Sequence, residues 1–183
     1  MSKFDFTSSD QVIELVKKAD NNLATKDLIN HLTMMKMERN PFYIIKTEFD
    51  EILQWKLRKQ FGRQKVMRSQ NTDEIIRNLT ELAFKTVHPD FYTETEFRLK
   101  ILCCLKGVEI PVASAILTLV YPEKYAVIDF RVCRQIFGVR NQAYTPSYYK
   151  KYLSIILTLS QEYKLTPQQI DMAIWQLDID SYG

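Results

Sequence analysis

Helix-start and helix-stop signals recur along the whole chain, and no stretch alternates apolar and polar residues long enough to make a strand. Ser8 or Ser9 can cap a helix running to about Lys18, with Val12, Ile13, Leu15 and Val16 as its apolar side. Thr25 can cap a second helix carrying Leu28, Ile29, Leu32 and Met35. Pro41 opens a third region, in which Phe49, Ile52, Leu53 and Leu57 fall at helical spacing and Gly62 supplies a stop. Asn71 or Thr72 starts a fourth helix, with Asp73 and Glu74 suited to its N-terminal dipole, and His88–Pro89 breaks it. Further helices are predicted over roughly Glu94 to Cys104, Pro111 to Val120 and Asp129 to Phe137, the last closed by Gly138. Thr145–Pro146 and Thr166–Pro167 each set a cap before a proline at the first helical position. They open a long helix to about Tyr163 and a final one ending near Gln176. Tyr125 to Ile128 reads as an extended connector. The expectation is an all-α fold.

Composition narrows the classes. The chain has 183 residues and four glycines, too few for a sheet-rich fold with many tight turns or for a glycine-rich phosphate loop. That length predicts a single helical domain over residues 1–183, with room for two small lobes. Cys103, Cys104 and Cys133 are odd in number and partly adjacent, which suits neither a disulfide framework nor a zinc site; they read as reduced core residues of an intracellular protein. No signal peptide is expected, and the longest apolar stretch, Val112 to Tyr121, is too short to cross a bilayer, so no membrane partner is expected. Net charge is only +3, but position matters more. Lys56, Arg58, Lys59, Arg63, Lys65 and Arg68 form a run with no acidic residue, and Arg131, Arg134 and Arg140 follow Asp129. Such runs serve either as solvated faces or as contacts to an anionic partner.

Residues 99–138 carry the most chemistry. One apolar helix ends at Leu105, Lys106-Gly107-Val108 follows, and Pro111 starts a second apolar helix. A turn so short forces a tight hairpin, with Gly107 as its permissive backbone position. Val108 anchors the turn in the core, and Ala113 and Ala115 let the helices approach closely. The free N–H groups at the start of the second helix, with its dipole and Lys106, make a phosphate site.

The stretch Leu105-Lys106-Gly107-Val108-Glu109-Ile110-Pro111-Val112-Ala113, followed at suitable distance by Val127-Ile128-Asp129 and Phe130-Arg131-Val132-Cys133-Arg134, resembles the helix-hairpin-helix DNA glycosylase superfamily. Endonuclease III, the adenine glycosylase MutY and the 8-oxoguanine glycosylases belong to it. The specific match covers about forty residues, and the helix-hairpin-helix itself is expected at about 94–120. The resemblance implies a DNA partner, a base flipped into a pocket, and Asp129 as the carboxylate that activates a nucleophile or stabilises the cationic sugar. It makes Lys106, Gly107, Val108 and Glu109 the hairpin contacts to DNA, with Arg131 and Arg134 beyond the aspartate. It also implies a monovalent cation on the backbone carbonyls of Cys103, Leu105 and Val108.

The chain departs from the family at several positions. Pro111 stands where bifunctional members carry a Schiff-base lysine, so no lysine lyase is expected there. Glu109 replaces the second hairpin glycine, and Arg131 stands where a histidine is frequent. No C-terminal cysteine cluster exists, so no iron–sulfur cluster is expected and no other cofactor is implied. Asp129 also suits a simple helix N-cap. Trp55, Trp175, Tyr148, Tyr149 and Tyr152 read as core rings or base-stacking rings, and Asp171 as a second pocket carboxylate or an exposed helix residue. Three functions follow: a monofunctional DNA glycosylase-like enzyme, a non-catalytic DNA-binding module of the same fold, and a helical interaction protein with no nucleic-acid role. The sequence names neither the base nor the oligomeric state.

Overall fold

A computed structural model describes residues 6, 8–63, 65–139 and 143–182, apart from the side chains of 22 and 23; Arg140 lies outside them. Among the described residues the regular structure is helical throughout, with no strand. The helices are α1 (Ser9–Leu23), α2 (Thr25–Glu38), α3 (Lys46–Leu57), α4 (Lys65–Arg68), α5 (Asp73–Lys85), α6 (Phe91–Leu102), α7 (Ile110–Val120), α8 (Phe130–Phe137), α9 (Pro146–Tyr163) and α10 (Pro167–Tyr182). None is long and apolar enough to cross a membrane.

Most ends follow the predicted chemistry. The side chains of Ser8, Thr72, Asp129 and Thr145 each accept a backbone N–H of the first turn they precede. Gly138 closes α8 at φ 70°, the left-handed geometry glycine adopts freely. Thr25 does not cap α2. Ala24 holds the N-cap position at φ 49°, and Asp20 of α1 accepts the Lys26 N–H instead. Thr25 is thereby free to accept the indole N–H of Trp55 at 3.2 Å. The third helix ends at Leu57 rather than at Gly62, because Arg58 turns the chain at φ 47° into a 3-10 turn, Arg58–Gln60. Asp90 caps α6 by accepting from the Thr93 N–H, so this helix starts before Glu94. The last helix runs past Gln176 to Tyr182, and the added turns contain the fully buried Asp178.

The centre of the molecule is α7. Ile110 and Val112 to Val120 are all buried, as expected of a helix that is apolar on every side. It packs against α2, α3 and α6, while α10 packs on α1, α8 and α9. The hydroxyls inside α7 are satisfied: Ser114 donates to the Pro111 carbonyl and Thr118 to the Ser114 carbonyl.

The connector Tyr125–Ile128 is extended and fully buried, which raises the question of where its backbone groups find partners without a sheet. Side chains from four helices answer it. Ser114 of α7 accepts the Ile128 N–H, and Asp171 of α10 accepts the Val127 N–H. Tyr149 and Tyr152 of α9 donate to the carbonyls of Ala126 and Val127, and Lys56 of α3 donates to that of Ile128. The two tyrosines are therefore core residues with a polar duty. This buried girdle fixes the point at which the chain emerges as Asp129.

Candidate functional site

Asp129 is the N-cap of α8, and its carboxylate is held from two sides. Its Oδ1 accepts the Arg131 N–H at 3.0 Å, and its Oδ2 accepts Lys56 Nζ at 2.9 Å. The Lys56 side chain is 8% exposed and that of Asp129 is 23% exposed, so the pair faces a recess rather than bulk water. Burial alone would push the Asp129 carboxyl up. The adjacent Lys56 ammonium and the helix N–H outweigh it and hold the group below its ordinary value. Asp129 is an ionised carboxylate at neutral pH.

The recess is a cleft of about 610 Å³. Its aromatic walls include Trp55, Tyr144 and Trp175, and its polar groups include Lys56, Asp129 and Asp171. Pro111, at the start of α7, also lines it, which brings the N-terminal end of the hairpin's second helix to the cleft wall. The Arg58 guanidinium lies 4.8 Å from the Trp175 ring centroid at this cleft, so that ring face already receives a flat cation. Asp171 is 5% exposed, which overturns its reading as an exposed helix residue. Its Oδ1 accepts the Tyr152 hydroxyl at 2.8 Å and its Oδ2 the Val127 N–H at 3.2 Å. Burial raises its carboxyl to about 7, against the pull of Tyr152 and Lys56. Two carboxyls with opposed proton affinities thus line one cleft.

The hairpin turn lies between Leu102 and Ile110. Val108 is buried, Lys106 and Glu109 are exposed, and Gly107 adopts φ 76°. Asn71, itself buried, clamps the turn: its Nδ2 donates to the Lys106 carbonyl and its Oδ1 accepts the Lys106 N–H, both at 2.9 Å. Lys106 Nζ meets Gln70. Glu109 sits at the N-cap of α7 in an extended conformation and makes no side-chain capping bond; its carbonyl accepts the Val112 and Ala113 N–H groups, Pro111 has none and Ile110 is buried, so the row of free N–H donors expected at this helix start is not present. Of the three carbonyls considered for a cation, that of Leu105 accepts the Val108 N–H, whereas those of Cys103 and Val108 accept no backbone N–H from the turn. Removing Asn71 takes both partners from the part-buried Lys106 N–H and carbonyl. Asn71→Ala should cost about 1–3 kcal/mol by denaturant titration. Unchanged stability would show that the turn holds itself.

The basic stretches divide. Lys56 and Arg68 point inward, Arg68 donating to the carbonyls of Arg63 and Phe61. Arg58, Lys59, Arg63 and Lys65 stay exposed. Arg131 and Arg134 both reach Asp178, and Arg134 also stacks 4.0 Å from the Tyr182 ring centroid. Arg131 lines the cleft and Arg134 does not, so the two arginines first tie α8 to α10. Burial pushes the half-buried Cys103 up to about 11 and the buried Cys133 up to about 12, so both are protonated thiols at neutral pH. Cys104 is exposed and is not a core residue. Among the described residues, no cluster of three His, Cys, Asp or Glu side chains could hold a metal ion.

Lys56 is the site residue hardest to find in the sequence. Its only signal is a position on the apolar stripe of α3, seven residues after Phe49 and three after Leu53, where a solvated lysine is out of place. Comparison with protein-family models, with curated proteins and with solved structures gave no match.

Proposed function

We propose that this protein is a helix-hairpin-helix DNA-binding protein of the glycosylase type, which excises a damaged or modified base flipped out of a duplex. The observation that carries the reading is the ionised Asp129, capped on α8 inside an aromatic-walled cleft whose wall includes the first turn of α7. A cleft of this size accommodates a planar base, and rings are what a base stacks upon. A fixed carboxylate is the group that stabilises positive charge developing on the sugar as the glycosidic bond breaks. Pro111 lines the same cleft and has no amine, so excision goes to water rather than through an imine at that position.

Duplex contacts divide between two places. The exposed Lys106 suits one phosphate beside the hairpin, and the exposed Arg58 and Lys59 suit phosphates at the cleft mouth. Each cation that neutralises a phosphate steepens the salt dependence of binding. Lys106→Ala should therefore reduce the slope of log K against log salt by about 1 and weaken all sequences alike. An unaltered slope would remove Lys106 from the interface.

One observation favours the non-catalytic alternative. Both Asp129 oxygens already have partners, Lys56 and the Arg131 N–H, an arrangement that also serves a purely structural cap. The deciding assay incubates the protein with end-labelled duplexes, each holding one altered base, and reveals abasic sites by alkali. Cleavage at the altered position supports excision. Tight duplex binding with no cleavage across the panel assigns the protein to the binding-module class.

A further inference from the structure

Asp171 has no part in the role given to Asp129, yet it lines the same cleft. It is nearly inaccessible, and its remaining exposure is through that cleft. It lies one helical turn before Trp175 on α10, so carboxyl and indole share a face. A base entering the cleft beside the Arg58–Trp175 stack would meet Asp171 on this face. The charged and titratable groups around Asp171 come from every neighbouring element: Lys56 from α3, Asp129 from the connector, Cys133 from α8, and Tyr149 and Tyr152 from α9.

We propose that Asp171 is the second catalytic carboxyl of the reaction, the acid that protonates the departing base. The inference rests on the excision reading given above. Asp171 transfers its proton to an acceptor nitrogen or carbonyl oxygen on the base. The C1′–N bond breaks, and its electron pair leaves with the base. The cationic sugar lies against the Asp129 carboxylate and takes a water oxygen at C1′, and the water's surplus proton passes to solvent. The base departs neutral, and Asp171 regains its proton from solvent. The substrate class is a base with an exposed acceptor on the edge facing α10, most simply a purine.

The division of labour has a physical cause. Lys56 bonds one carboxylate directly and acts on the other only through space, while burial sets Asp171 near neutrality, at about 7. The Tyr152 hydroxyl stabilises the ionised form of Asp171, so its removal should move the proton's release to higher pH.

The test uses the full chain, duplexes bearing hypoxanthine, 8-oxoguanine or 1,N6-ethenoadenine, and a duplex with an abasic-site analogue. Single-turnover base release should fall as pH rises through about 7. Asp171→Asn should lose ~10²–10⁴-fold in rate together with that alkaline limb, while keeping affinity for the abasic duplex. Tyr152→Phe should keep the limb but shift it to higher pH, a response that a merely structural Asp171 would not produce. Release by Asp171→Asn within a few-fold of wild type, with the limb in place, overturns the proposal and leaves the excision reading standing. Binding to the abasic duplex with no base released from any of the three overturns excision and the Asp171 role together.

Discussion

Asp129→Asn should abolish base release, by ~10³-fold or more, and leave affinity for an abasic-analogue duplex within a few-fold of wild type. The geometry makes this a clean substitution. Asparagine caps a helix as well as aspartate does, so the Arg131 N–H keeps its acceptor and α8 keeps its start. What disappears is the negative charge beside Lys56. Losing that charged hydrogen bond should cost about 1.5–3 kcal/mol of stability, small enough for the protein to stay folded. The pH dependence has a definite sign. The Asp129 carboxyl lies below its ordinary value in the folded protein, so its contribution to stability is complete above the unfolded carboxylate pKa and is lost as pH falls through the folded one. Lys56→Met should raise the carboxyl and move the acid limb of activity upward. Base release by Asp129→Asn at the wild-type rate would place the chemistry elsewhere.

Asp178→Ala should be the most destabilising single change, costing about 3–5 kcal/mol. Asp178 is completely buried and accepts from Arg131, Arg134 and Gln135, all on α8. Truncating it leaves two guanidinium groups without their counter-charge in a poorly hydrated seam, with Arg134 only 11% exposed. For a domain of this length the loss corresponds to a fall of roughly 6–20 °C in the melting temperature, read by circular dichroism. The site should suffer as well, because the same seam fixes α8, and with it the Asp129 cap, against α10. A melting temperature within 2 °C or so of wild type would mean that the arginines find other partners and that the cluster is not what joins these helices.

The two arginines illustrate where reading the sequence succeeds and where it stops. Helix identity was legible almost throughout, because caps, proline at N1 and apolar stripes are local signals. Asp129 at the head of α8, the hairpin with Gly107 at positive φ and the buried Val108 anchor were legible for the same reason. The partners of charges were not. Arg131 and Arg134 lie more than forty residues from Asp178, and nothing local distinguishes an arginine facing phosphate from one facing a buried carboxylate. Lys56 is 73 residues from Asp129, and Asn71 is 35 from Lys106. Asp171 stayed between two readings, a pocket carboxylate and an exposed helix residue, for another reason. Its neighbours in α10 read as an ordinary helix, and its burial comes from the connector and α9, which only the tertiary fold sets against it. The helix ends that moved did so for different reasons: Asp20 and the backbone turn at Arg58 act locally at Ala24 and Leu57, while the added turns to Tyr182 hold Asp178, whose partners lie on α8.

The proposed function requires the cleft and the hairpin together to hold DNA with a base turned out. The direct measurement is a titration of the full chain against a plain duplex and one bearing an abasic-site analogue, each at low and at moderate salt. Tighter binding to the analogue is expected, since no base has to be unstacked, with weaker binding to both as salt rises. No binding to either duplex at low salt would contradict it and leave the hairpin as a device for packing α6 against α7.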